Sequence, residues 1–192
     1  MKSLFAFFFA IFVFLAVTAS ATGQAPANTA PSPEPVFRAP FSLKLQIDKK
    51  HFYERQFDKV PYVADNNVYL FVRDNFGINV TITGDRISGV TYQPAPARSD
   101  VVFTFTQEKT PNGPMMLLVT KNNLKRKLVF DALMTIPGQE GIHKTSILPI
   151  QASLSSFESW PDPIVQLVLQ NFRFPAGGPN VNSGAAPSPA QK

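Results

Sequence analysis

Val101-Val102-Phe103-Thr104-Phe105-Thr106 and Met115-Met116-Leu117-Leu118-Val119-Thr120-Lys121, separated by Pro111-Asn112-Gly113-Pro114, decide the fold. In the first run Val101, Phe103 and Phe105 alternate with Val102, Thr104 and Thr106, a period of two that turns one set of side chains to a core and the other to water. The second run is rich in strand formers, and the Asn-Gly pair between the prolines supplies the positive φ that tight turns need.

The same period extends outward in both directions. Phe41, Leu43, Leu45 and Ile47 alternate with Ser42, Lys44 and Gln46; Ile78, Val80 and Ile82 with Asn79, Thr81 and Thr83; Leu128, Phe130 and Ala132 with Val129 and Asp131. Strand-rich runs also cover Val68–Arg73, Arg86–Tyr92 and Ile142–Leu148. Turn chemistry is expected at Asp74–Gly77, Gly84-Asp85, Asn122-Asn123 and Pro137-Gly138. Asp162-Pro163 could start a helix, but the β-branched residues Ile164, Val165 and Val168 favour an edge or closing strand over 163–174. Eight or nine short strands without a βαβ rhythm predict an all-β, antiparallel β-sandwich of immunoglobulin-like type, with a barrel as the alternative. The segment Leu117–Phe130, strand then Asn-Asn turn then strand, resembles hairpins of immunoglobulin-like bacterial envelope domains. That resemblance implies the fold class and carries no functional residues.

The ends of the chain read differently. Lys2 precedes fourteen apolar residues, Leu4–Val17, six of them Phe, and Ala19-Ser20-Ala21 follows. This is the pattern of a secretory leader cleaved after Ala21, since a spanning helix needs roughly 20 apolar residues. Residues 1–21 are therefore expected as signal peptide, 22–40 as a disordered Pro/Ala-rich linker, 41–174 as one domain and 175–192 as a disordered Gly/Pro-rich tail. The expected location is outside the cytoplasm: the periplasm, or alternatively the extracellular space. No stable membrane anchor is expected after cleavage.

Composition bounds the chemistry. The chain has no Cys, which excludes thiol catalysis and thiolate zinc sites. Net charge is +5, one less once Lys2 leaves with the leader. Such a mild excess admits an anionic cell-wall polymer as partner, whereas nucleic acid is not expected on an exported chain. His51 and His143 lie in separate segments. His51 and Glu54 could share a helix face, but one pair is too few for zinc. No Gly-x-Ser-x-Gly elbow, phosphate loop or carboxylate pair stands out, so no catalytic residue, metal or cofactor is assigned.

Two stretches are candidate partner-binding surfaces. Lys121, Lys125, Arg126 and Lys127 surround the Asn122-Asn123 turn and could meet phosphates or acidic sugars, or simply solvate a strand edge. Phe157–Pro163 holds the only Trp; Trp160 with Glu158 could form a recognition surface, or Trp160 could plug one end of the sandwich. Asn79-Val80-Thr81 is a formal glycosylation sequon inside an expected strand. The expected function is an exported, non-catalytic envelope protein that binds a protein or cell-wall partner through loops or a strand edge. The alternatives are an envelope hydrolase with residues converging from distant strands, or a secreted protease inhibitor presenting the Pro111–Pro114 loop.

Overall fold

The computed structural model describes residues 34–175; the expected leader, most of the expected linker and all but the first residue of the expected tail lie outside them. Twelve strands follow one another: β1 (Phe41–Gln46), β2 (Phe52–Phe57), β3 (Val63–Ala64), β4 (Asn67–Leu70), β5 (Asp74–Thr83), β6 (Arg86–Gln93), β7 (Val101–Thr110), β8 (Gly113–Asn122), β9 (Val129–Thr135), β10 (His143–Thr145), β11 (Ser155–Trp160) and β12 (Gln166–Arg173). One 3₁₀ turn, Pro96–Arg98, joins β6 to β7. Among the described residues, no helix is long and apolar enough to cross a membrane.

Every strand pairing is antiparallel. Two five-stranded sheets, ordered β10-β9-β12-β4-β3 and β11-β8-β7-β5-β6, and a two-stranded sheet β1-β2 form a sandwich-like arrangement. The expected all-β sandwich is therefore the observed class. The strand count exceeds eight or nine because pieces as short as β3 and β10 carry no alternation to read.

Between the sheets lies one apolar cluster. Val101, Phe103 and Phe105 of β7 are buried, as their alternation requires, beside Met116 and Leu118 of β8 and Phe76 and Ile78 of β5. From the facing sheet come Val68, Leu70, Phe130, Ala132, Leu167 and Leu169, and β1 contributes Leu43 and Leu45. Phe103 meets Phe76, Phe130 and Phe172 edge-on, the arrangement that the ring quadrupoles favour. The β1-β2 hairpin docks partly through one side chain. The Gln107 amide accepts from the Gln46 backbone N–H (2.9 Å) and donates to the Gln46 carbonyl (2.8 Å), standing in for a peptide group of a neighbouring strand.

Four local expectations are corrected. Asp74–Gly77 is not a turn but the start of β5, paired with Val102–Phe105 of β7; the turn residues there serve a different need, because a side chain on Gly77 would run into Ser99. Asn122-Asn123 does not close a hairpin, since β8 and β9 belong to different sheets. The chain crosses between them at a corner organised by the buried Asn122 side chain, whose Nδ2 faces the carbonyls of Arg126, Ile150 and Gln151 and whose Oδ1 accepts from the Leu124 amide. The likeness of Leu117–Phe130 to a hairpin therefore does not hold. Residues 166–173 form an inner strand, β12, flanked by β9 and β4, instead of an edge. Finally, the composition boundary at Pro40 falls inside the folded unit: Val36–Arg38 run against Val60–Tyr62, with the Arg38 amide donating to Val60 O and the Tyr62 amide to Val36 O, both at 2.9 Å.

Candidate interaction edge

The sandwich has two lateral flanks, one closed at β3 by the Val36–Arg38 strap and one without a strap, while β6, like β11, has no backbone partner on its outer edge among the described residues. On the closed flank β3 and β6 are the outermost strands, and the Val90 amide donates to Asn66 Oδ1 across them at 2.9 Å. The Val36–Arg38 strap adds a buried ion pair. Arg38 donates to Asp74 Oδ2, to Pro61 O and to Tyr69 O, each at 2.6 Å, and its guanidinium lies 4.0 Å from the Tyr62 ring centroid. Tyr62 in turn stacks on Tyr92 of β6. Burial pushes the Asp74 carboxyl above its ordinary value, against the pull of Arg38 and of the Phe71 amide. Sequence reasoning missed Arg38 because it sits in a Pro-rich stretch; a lone Arg between Val36-Phe37 and Pro40 was the available signal.

The opposite flank is where β10 and β11 end their sheets. β11 pairs with β8 alone, and among the described residues no backbone hydrogen bond joins its other edge. Its side chains alternate. Ser156, Glu158 and Trp160 turn inward beside Thr120, Leu118 and Met116, while Ser155, Phe157 and Ser159 turn outward. Two of the inward groups reach the segment after β9. Trp160 Nε1 donates to Thr145 Oγ1 (2.9 Å), and Glu158 Oε1 accepts from the Leu148 amide (3.0 Å). Trp160 also packs on the core cluster, half-buried.

This flank carries what the other lacks. Ile142, Leu148, Leu154 and Phe157 expose 70%, 71%, 57% and 70% of their surfaces, more than any other large apolar side chain among the described residues. Three inward polar atoms, Thr120 Oγ1, Ser156 Oγ and His143 Nε2, have no hydrogen-bond partner, and Thr120 and Ser156 stand opposite each other in the β8–β11 register. Phe157 is the residue that sequence reasoning passed over in favour of its neighbours Glu158 and Trp160. The parity of the strand was the missed signal, since Phe157 must face away from Trp160.

The basic cluster is divided by the fold. Lys121 projects from β8 beside Ser155, whereas Lys125, Arg126 and Lys127 lie on the corner after β8. Arg126 is engaged, 3.3 Å from Asp85 Oδ1 and 3.9 Å from the Phe174 ring centroid. The cluster and the Trp160–Glu158 pair are thus separate features at different positions along the sandwich.

His51 is in the β1-β2 turn, not on a helix; its Nδ1 is 2.7 Å from Asp48 Oδ2, and Glu54 follows in β2. Asp48 also accepts from the Lys50 and His51 amides, and the His51 ring bond first, then these amides, hold its pKa down to about 2. Two surface cavities stand out. One of about 350 Å³ adjoins Arg38, Tyr62 and Arg73; the other, about 560 Å³, lies between the β1-β2 turn, the β7-β8 turn and Pro161. Neither gathers a histidine with carboxylates, and among the described residues no three His, Asp or Glu side chains converge as metal ligands would. Asn79 of the sequon uses its Oδ1 to accept from the Asp100 amide (3.2 Å), which explains that residue structurally. No family model, curated protein or solved structure matches the chain.

Proposed function

We propose that this is an exported, non-catalytic interaction protein that engages a protein partner along the β10–β11 flank, with β11 as the docking strand. The observation carrying this reading is Phe157: an aromatic in the middle of an edge strand, turned to solvent and 70% exposed. An unpaired edge offers a row of backbone donors and acceptors, and pairing with a second strand satisfies them without any sequence motif. The Leu4–Val17 leader and the Ala19-Ser20-Ala21 site support export to an envelope compartment, and the immunoglobulin-like variant of the sandwich belongs to the same proposal.

The test is affinity capture from the cell envelope with the mature wild type, with Phe157→Lys, and with the double variant Lys125→Glu/Lys127→Glu. Loss of the captured protein with Phe157→Lys alone supports the edge. Loss with the corner variant alone moves the site to the basic tip and an anionic polymer.

A further inference from the structure

The proposal that β11 is a docking strand leaves its occupant open, and resting on that reading we infer that the edge fits a second copy of this chain, paired antiparallel about a two-fold axis through Phe157. Residues directly opposite in an antiparallel pair point to the same face of the sheet, so only registers that preserve parity are allowed. Centred on Phe157, the pairing places Phe157 against its symmetry mate, Ser155 against Ser159, Ser156 against Glu158, and Leu154 against Trp160. The exposed Phe157 is covered by its mate, and small serines flank the central rings.

The neighbouring registers fail on the same residues. An axis through Glu158 puts two carboxylates opposite each other, which is destabilising. An axis through Ser156 sets Phe157 against Ser155 and leaves each ring without an apolar partner. Self-complementarity of this kind is what an isologous interface demands. β11 also lacks two of the usual edge guards: Ser155–Trp160 contains no Pro and no Lys. Its one charge, Glu158, is turned inward and accepts from the Leu148 amide, which leaves the outward face of the strand uncharged. The product is a continuous ten-stranded sheet across two molecules. A single strand edge buries less than the roughly 1,200 Å² at which stable interfaces begin, so the dimer is reversible.

The absence of cysteine makes the test clean. In the Phe157-centred register the two Phe157 Cα atoms stand about 4.5–5.5 Å apart, within disulfide reach. Purified mature Phe157→Cys should link to itself under mild oxidation far more completely than Ile82→Cys, an exposed position near the β5-β6 turn. Ser155→Cys mixed with Ser159→Cys should form the heterologous link while neither links to itself. Thermal melting of each reduced variant checks that the fold is intact. Light scattering should show a concentration-dependent dimer for wild type and a monomer for Phe157→Lys. Self-linking at Phe157→Cys no better than at Ile82→Cys overturns the inference, as does preferential self-linking of Glu158→Cys. If a photocrosslinker at position 157 captures only a foreign protein, the second-copy inference fails while the docking edge stands; if it captures nothing, both fail.

Discussion

The two flanks of this sandwich solve the same problem in opposite ways. Where β3 and β6 end, the chain supplies its own cover: the Val36–Arg38 strap adds backbone bonds, Asn66 bridges the sheets, and Arg38 is spent on Asp74 and two carbonyls. Where β10 and β11 end, among the described residues two side-chain bonds, Trp160–Thr145 and Glu158–Leu148, reach from β11 to the segment after β9, and the most exposed large apolar side chains lie in or next to these strands. A strand edge is either covered, guarded or used. The first flank carries a backbone-bonded strap beside β3; among the described residues the second carries no strap and exposes Phe157, and the proposed docking edge rests on that difference.

The contrast makes quantitative demands. The largest concerns Arg38. Its replacement by Ala leaves Asp74 buried without its partner and strips donors from Pro61 and Tyr69, so unfolding free energy should drop by about 3–5 kcal/mol. Chemical denaturation checks this, and a drop below about 1 kcal/mol would mean that the closed flank is held by something else. On the open flank Trp160→Ala should cost about 3 kcal/mol, the low end for a large aromatic because Trp160 is only half-buried, whereas Trp160→Phe loses chiefly the Thr145 bond, about 1 kcal/mol. Equal costs for the two would mean that packing contributes little at this end of β11.

Gly77→Ala should cost about 1–3 kcal/mol, since the new methyl overlaps Ser99 and stands 2.9 Å from the Val101 carbonyl oxygen. Pairing it with Ser99→Gly should recover most of the loss if the clash with Ser99 is the cause. Phe157→Ser should change stability by no more than about 0.5 kcal/mol, as for other surface positions, while association is lost; a large fall in melting temperature would show that Phe157 belongs to the fold.

The smallest effect lies outside both flanks, in the β1-β2 turn. The Asp48 carboxyl is held down by His51, so the contribution of this bond is complete above the ordinary carboxylate pKa and is lost as pH falls through about 2. His51→Phe should move the Asp48 midpoint upward in an NMR titration without altering either flank; an unmoved midpoint assigns the shift to the backbone amides instead.

What the sequence conveys is local, and the structure shows where that ends. Alternation in Val101–Thr106 predicts which residues of β7 are buried, and Gly84-Asp85 and Pro137-Gly138 turn as their chemistry requires. Local patterns do not say which strands neighbour one another. Asn122-Asn123 reads as a hairpin turn, yet the Asn122 side chain holds three carbonyls at a corner between sheets, a role set by contacts with Ile150 and Gln151 far along the chain. Arg38 is likewise invisible in a Pro-rich stretch, because its partners come from residues 61 to 74. The candidate site is half legible: Phe157–Pro163 stands out for its Trp, but the proposed face depends on β11 being an edge, and edge position is a property of the whole sheet order.

One measurement tests the central claim most directly. A photoreactive amino acid placed at position 157, and in a second variant at the comparably exposed Phe52, is activated in intact envelopes and the protein adducts are compared. The account predicts abundant, discrete adducts from position 157 and none from position 52. Equal adducts from both, or adducts from position 52 alone, would contradict the assignment of function to the β10–β11 flank.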